Sequence, residues 1–401
     1  MAQAAWEWKL GSQTWDLIQS CWSDLQESLL RGKSPEKVFD PLELSRNART
    51  KQLDTQSRAW VWSQVRLRYR AQEKFPGISA LYWTEAGLEM ATRKTVGIIK
   101  AKYLKNYTAI VDLCCGLGGD SFFLDTPFLM GVDRDEWVLR LYEKNMTLLG
   151  KKPQVVLADA EFMPLKKFDC LLVDPARRSS SGHKHGQSAA FSPHPEAIVK
   201  LARNCPHLFL KWSPALPHPL PSENSSQMYL GEGDSCQEQW VIPGHLVGPQ
   251  RVGAIECLSG REYWANLEDT YLTLPTSPPQ AFLYEPLKSL IAAKLHPHLA
   301  RSLNIAALDV NTAYLTGQEK LNHPWLKTYA ILKVWDCSWN QVQKEIKKMG
   351  FGDLTIKQRG WGDRAPQTPA GRSCPDNIFL VFCLVQGKRN VLLVQSGAEK
   401  L

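Results

Sequence analysis

The sequence predicts an α/β fold built on an open, mostly parallel sheet, and three observations carry that expectation. Ile110-Val-Asp-Leu-Cys-Cys-Gly116-Leu-Gly118-Gly119-Asp120 runs an apolar strand straight into a glycine-rich turn and an acidic residue, the form taken where a first parallel strand ends beneath a nucleotide-like ligand. Short apolar runs then alternate with a helical pattern, the order that builds strand-helix-strand units. Four successive strands end in Asp112, Asp133, Asp159 and Asp174, which sets carboxylates along the carboxyl edge of one sheet, where open α/β sheets bind ligands.

Each element follows from its residues. Ile110 and Val111 are β-branched strand formers, Gly116, Gly118 and Gly119 permit a tight turn, and Asp120-Ser121 is suited to cap a following helix. Phe128-Leu-Met-Gly-Val-Asp133 is a second short apolar run ending in a carboxylate, at a spacing close to the roughly 20 residues expected of a ribose-binding acid. Asp135 to Leu149 places Val138, Leu141, Tyr142 and Leu149 on one side of an amphipathic helix. Strands Gln154-Val-Val-Leu-Ala158, Phe168-Asp-Cys-Leu-Leu-Val173 and His207-Leu-Phe-Leu-Lys211 follow, and Ser213 to Pro221 is a proline-rich extended loop. Gln239-Trp-Val-Ile242 and Val252 to Leu258 are expected to pair antiparallel and close the sheet.

Asp112-Leu-Cys-Cys-Gly116-Leu-Gly118-Gly119-Asp120 resembles the first motif of class I S-adenosylmethionine-dependent methyltransferases, with Val132-Asp133, Ala158-Asp159-Ala160 and Asp174-Pro175 matching the later motifs in order. Cys114 stands where that superfamily usually has its first glycine, a departure shared with trimethylguanosine-synthase-like RNA enzymes. Leu81 to Thr92, Asp174-Pro-Ala-Arg-Arg178, Tyr284-Glu-Pro286 and Ile356-Lys-Gln-Arg-Gly360 together resemble a bacterial family of such enzymes with a C-terminal THUMP-like domain, over about residues 80 to 395. The resemblance implies a Rossmann-like seven-stranded methyltransferase sheet and S-adenosyl-L-methionine as cofactor. It implies Asp112, Cys114, Gly116, Gly118, Asp133 and Asp159 as cofactor-binding residues, with Asp133 on the ribose and Asp159 on the adenine. The domain plan expected is an N-terminal helical domain over 1–95, the methyltransferase domain over 96–274, and the α+β THUMP-like domain over 280–395, entered through Pro275-Thr-Ser-Pro-Pro279.

The activated methyl belongs to the cofactor, so the protein has mainly to align nucleophile, methyl and sulfur and exclude water. The Asp174 carboxylate and the Pro175 carbonyl suit an exocyclic amine, accepting its hydrogens and stabilising the charge that develops. Arg177 occupies the place where base N-methyltransferases often carry a stacking aromatic, which points Arg177 and Arg178 toward substrate phosphate instead. Carbon-5 chemistry is disfavoured, because Cys170 lies inside its strand and Cys205 precedes the next one. Cys114 and Cys115 have no adjacent base and read as small turn residues. His183, His185 and His194 lack an accompanying cysteine pair and suit a polar lid better than zinc. Trp212 and Trp240 are candidates for the acceptor pocket or for plain packing.

The chain has 401 residues, 44% of them hydrophobic, enough for more than one core, and a formal charge of +8. Eleven Lys and Arg between Lys51 and Lys105 face only four acidic residues, interleaved with Trp60, Trp62, Tyr69, Tyr82 and Trp83. Two readings stay open for this segment: RNA phosphate attraction with base stacking, or a solvated helix face over a tryptophan-rich core. Lys357 and Arg359 are further candidates for substrate phosphate. No apolar run approaches 18 residues, the start lacks a secretory pattern, and the ten cysteines have no paired spacing, so a cytoplasmic enzyme with reduced thiols and no structural metal is expected. The function expected is a methyltransferase of a base nitrogen in RNA. Its rivals are a methyltransferase for a protein or small molecule and a non-catalytic cofactor-binding protein.

Overall fold

The computed structural model describes residues 12–40, 44, 47–78, 80–163, 168–177, 191–205, 207–336, 339–351, 354–361 and 377–397. The chain divides into two compact units, Met1–Trp212 with His218–Leu220, and Ser213–Pro217 with Pro221–Leu401.

The first unit opens with helices α1 (Ser12–Leu30), α2 (Thr55–Lys74), α3 (Glu85–Met90) and α4 (Lys94–Leu104). Side chains start α2 and α3: Asp54 accepts from Gln56 N and Ser57 N at 2.9 and 3.0 Å, and the Thr84 hydroxyl accepts from Gly87 N at 2.9 Å, each satisfying backbone donors a helix leaves open. Trp15, Trp60, Trp62, Tyr82 and Trp83 are buried. Trp15 meets Trp60 and Tyr82 edge-on with ring centroids 5.2 and 4.5 Å apart, and Phe75 stacks on Trp83 at 4.9 Å. The aromatics interleaved with the basic residues therefore form a core, and of the five only Tyr69 is partly open.

Strands β1 (Ala109–Leu113), β2 (Phe128–Asp133), β3 (Gln154–Leu157), β4 (Cys170–Val173) and β7 (Leu208–Trp212) lie parallel in the order β7-β4-β1-β2-β3. The order reverses at β1, and such a switch point opens a crevice at the carboxyl ends. Helix α5 (Glu136–Leu148) returns from β2, its Asp135 cap accepting from Val138 N at 3.1 Å. The short strands β5 (Ala176–Arg177) and β6 (Phe191–Ser192) pair antiparallel, and α6 (Pro195–Asn204) leads into β7. One sequence expectation fails here. Asp120 caps no helix: Ser121–Phe123 is a single 3₁₀ turn without a side-chain cap, because the Asp120 carboxylate is committed to the buried Lys100 ammonium.

The second unit holds β8 (Ser225–Glu232), β9 (Ser235–Pro243), β10 (Arg251–Glu256) and β11 (Arg261–Asn266), ordered β11-β10-β8-β9. The expected pairing of Gln239–Ile242 with the run after Val252 is corrected: both flank β8, β9 antiparallel and β10 parallel to it. The polar start of β8 hid it. Ser225 and Ser226 are buried yet satisfied, donating to Pro221 O and Gly248 O at 2.6 Å each.

Strands β12 (Phe282–Pro286), β13 (Ala306–Ala307), β14 (Leu315–Gly317), β15 (Leu326–Asp336), β16 (Thr355–Arg359), β17 (Ile378–Val385) and β18 (Lys388–Ser396) form a second sheet, ordered β13-β14-β12-β15-β18-β17-β16. Helices α7 (Lys288–Ala292), α8 (His296–Ser302) and α9 (Trp339–Lys348) accompany it. One core spans Val252 and Ala254 of β10, Tyr284 of β12, and Leu290 and Leu299 of α7 and α8. No helix among the described residues is long and apolar enough to cross a membrane.

Candidate cofactor and acceptor site

The glycine-rich turn after β1 is a run of left-handed backbone, with φ of 63° at Cys114, 55° at Gly116 and 98° at Gly118. Position 114 favours glycine for a conformational reason, since a side chain in left-handed backbone costs about 1–2 kcal/mol. Cys114 keeps the conformation with its Sγ 3.9 Å from Ser192 O. Burial pushes the Cys114 and Cys115 thiols up, with nearby carboxylates adding to it, so neither is a ready nucleophile.

The three glycines do different work. A Cβ on Gly118 would lie 2.4 Å from Met146 Cε and 2.8 Å from Phe122 Cε1, and one on Gly119 would lie 2.9 Å from Thr92 N. Those two let the turn pack. A Cβ on Gly116 would meet nothing within 4 Å, so this glycine borders open space. Its N–H donates to Asp133 Oδ2 at 3.1 Å, while Asp133 Oδ1 accepts from Asp135 N at 3.0 Å. Asp159, just past β3, accepts from Glu161 N at 3.0 Å, and Ala158 N donates to Asp133 O at 3.0 Å.

Asp112 supports the turn from beneath. It is 2% exposed and accepts from Ser121 Oγ at 2.5 Å, with Tyr142 Oη 3.2 Å from the same hydroxyl. Burial, helped by the negative Asp120, pushes its carboxyl up to about 8. Burial also raises Asp120, but Lys100 and Lys211 outweigh it and hold Asp120 down at about 2.

Asp174 follows β4, with its N–H 3.4 Å from Leu113 O. Its Oδ2 accepts from Lys211 Nζ at 2.8 Å. Pro175 is buried. Arg177 pairs with Phe191 in the β5/β6 ladder, and Arg178, like His183 and His185, lies outside the described residues.

Two features escaped sequence reasoning. Lys211 is one. The other is the segment Phe191–His194, which reaches the carboxyl ends of all five parallel strands. Phe191 pairs with Arg177 beyond β4 and stacks on Trp212 of β7 at 4.3 Å and 24°. Ser192 meets Cys114 beyond β1, and its Oγ accepts from Arg134 beyond β2 at 3.4 Å. His194 N donates to Glu161 Oε1 beyond β3 at 2.7 Å. The only hint was Pro193 and Pro195 around His194, with the second proline opening a helix.

The turn, Asp133, Asp159 and Asp174 thus share one edge of the first unit. Lys357 and Arg359 belong to the second, on β16, where they bind Glu285 of β12 at 2.7 and 2.9 Å. Burial raises the Glu285 carboxyl, and Lys357 and Arg359 more than reverse that. Tyr329 Oη adds a hydrogen bond at 3.1 Å, and Arg359 lies over the Tyr314 ring at 5.2 Å. These interactions join the third strand in the order to the last, which curls the sheet.

No family model matches this sequence, and no curated protein matches it. Among solved structures, a provisionally described methyltransferase from Porphyromonas gingivalis W83 aligns over 95% of this chain and 98% of its own, at 20% identity and a TM-score of 0.72. A provisionally described class I S-adenosylmethionine-dependent methyltransferase from Listeria monocytogenes aligns over 61% and 91%, at 14% identity and TM-score 0.36. An RNA methyltransferase from Pyrococcus horikoshii, also described provisionally, aligns over 37% and 76%, at 15% identity and TM-score 0.28. The first likeness spans nearly the whole of both chains and shows the fold: this chain has the Rossmann-like fold of class I methyltransferases.

Proposed function

We propose that this chain is an S-adenosylmethionine-dependent methyltransferase that modifies a base nitrogen in RNA. One observation carries the cofactor part. The turn residue Gly116 faces open space and is tied through its amide to Asp133, which is the cradle a nucleoside with a ribose diol requires. In this reading Asp133 accepts from the ribose hydroxyls, Asp159 from the adenine amine, and Cys114 and Gly118 shape the turn that Asp112 supports. When bound, the cofactor supplies a methyl group already activated on a sulfonium. Asp174 and the Pro175 carbonyl orient the acceptor amine, and the Phe191–His194 strap excludes water from the strand ends. We further assign residues 1–95 as a helical domain, 96–274 as the methyltransferase domain and 280–395 as a THUMP-like domain, with Arg177 and Arg178 assigned to substrate phosphate; the same expectation for Lys357 and Arg359 gives way, because both are committed to the buried Glu285.

The RNA part rests on the net charge of +8 and on exposed cations of the helical region, Arg66, Lys102 and Lys105. Calorimetric binding of S-adenosylmethionine, together with tritiated methyl transfer to total cellular RNA, tests it. Binding without transfer to RNA overturns the substrate, and absence of binding overturns the whole.

A methyltransferase for a protein or small molecule is favoured by a different observation: much of the basic segment is used internally. Lys100 and Arg68 are buried, Lys74 donates to Leu88 O and Glu89 O, and Arg58 to Thr50 O, Lys51 O and Leu53 O. Arg70 pairs with Glu85, and Lys94 donates to Pro76 O at 2.7 Å.

A further inference from the structure

Four charged side chains of alternating sign run from the interior of the first unit to Asp174. Lys100 on α4 binds Asp120 at 2.9 Å. Asp120 also accepts a hydrogen bond from Thr92, which lies between α3 and α4. The Thr92 hydroxyl in turn accepts from Lys211 Nζ at 3.1 Å, and Lys211 binds Asp174 at 2.8 Å. Side-chain exposure climbs along the line, 3% for Lys100, 14% for Asp120, 17% for Lys211 and 39% for Asp174. That gradient decides between two roles for Lys211. A residue that touches the acceptor would be the more exposed member of its pair, and here Asp174 is. The register agrees, since Val173 faces Leu210 across β4 and β7, so Asp174 and Lys211 lie side by side at the strand ends.

We infer that Lys211 is a positioning residue for methyl transfer: braced by Thr92, it holds Asp174 Oδ2 and leaves Oδ1 to receive the acceptor. Among the described residues, Oδ1 has no other partner. The inference rests on the role proposed for Asp174 above, and adds that the α3–α4 segment reaches the reaction through Thr92. A long cationic side chain serves here because it donates to both the carboxylate and the hydroxyl.

The test uses the full chain. Lys211→Met should lower kcat by about 10- to 100-fold, the scale at which a small displacement of a reacting group is felt, with cofactor affinity and acceptor KM within about twofold. Lys211→Arg should recover most of that activity. In the Lys211→Met/Asp174→Asn double variant the rate should match Asp174→Asn alone, since Lys211 is inferred to reach the reaction through that carboxylate. Additive effects, or an unchanged kcat in Lys211→Met, overturn the inference. A ¹⁵N-detected lysine ammonium spectrum reads the pair without the reaction: the Lys211 signal should move in Asp174→Asn, and an unmoved signal removes the pair. A wild-type chain that transfers no methyl while that signal moves refutes the methyltransferase role, and the positioning role with it, but leaves the pair standing. The two failures are thus distinguishable.

Discussion

Gly116→Ala and Gly118→Ala ought to separate cofactor binding from folding, although both glycines sit in one turn with positive φ. At Gly116 the added methyl group meets nothing within 4 Å, so only the left-handed backbone is penalised, about 1–2 kcal/mol. At Gly118 the same penalty is joined by close approaches of 2.4 Å to Met146 and 2.8 Å to Phe122, and overpacking of that kind adds about 1–3 kcal/mol. With about 2–4 °C per kcal/mol for a unit of this size, Gly118→Ala should melt roughly 4–20 °C lower and Gly116→Ala roughly 2–8 °C lower. Affinity should follow the opposite order. The Gly116→Ala methyl group fills the space beside Asp133 assigned to the cofactor, and a weakening of tenfold or more is expected, at least about 1.4 kcal/mol. Thermal unfolding followed by circular dichroism and calorimetric titration with S-adenosylhomocysteine measure the two effects. Wild-type affinity in a folded Gly116→Ala protein would refute the placement of the cofactor, and an unshifted melt in Gly118→Ala would refute the packing argument.

Other expectations follow from the charged groups. Asp133→Ala should weaken cofactor binding by more than tenfold while melting near wild type, and equal affinities in calorimetry would count against the ribose assignment. Asp112 takes up a proton on folding, so its contribution is present below about pH 4 and lost as pH rises through about 8; Asp112→Asn should therefore flatten the fall in melting temperature across that window, and an unchanged profile would refute it. Glu285→Gln strands two cations that the fold holds around one buried carboxylate and should cost the second unit about 3 kcal/mol, with less than about 1 kcal/mol in urea titration showing that the cluster is not structural. Changing Arg66, Lys102 and Lys105 to glutamine should lower the slope of log RNA affinity against log salt by about 0.7–0.9 for each phosphate that the variant no longer neutralises, and an unaltered slope in filter binding would favour a protein or small-molecule substrate.

Strand β4 was legible because a parallel strand buried on both faces needs an unbroken apolar run, and Cys170–Val173 is such a run. Strand β8 was not, because its Ser226 and Gln227 satisfy themselves through Gly248 O, Arg251 N and Gln239, and composition carries no trace of partners 12 to 25 residues away. The basic segment misled for a related reason. A count of Lys and Arg treats Lys100 and Lys102 alike, yet one is buried against Asp120 and the other is exposed, a difference of one helix face that α4, apolar on both flanks, does not announce.

The same limit explains which part of the site could be read. Residues that act through backbone geometry leave a local signature, and the turn at Cys114–Gly118 is visible in five consecutive letters. Residues that act through a partner do not: Lys211 lies 37 positions from Asp174 and 119 from Thr92. Its identity as a lysine within the apolar run Leu208–Trp212 was the available clue, because an ammonium inside a parallel strand must find a counter-charge there. Asp174, at the end of the neighbouring strand, is the carboxylate it finds. A cation in a parallel strand is thus a pointer to an acid at the same level of the next strand, and in this fold that level is the carboxyl edge where ligands bind.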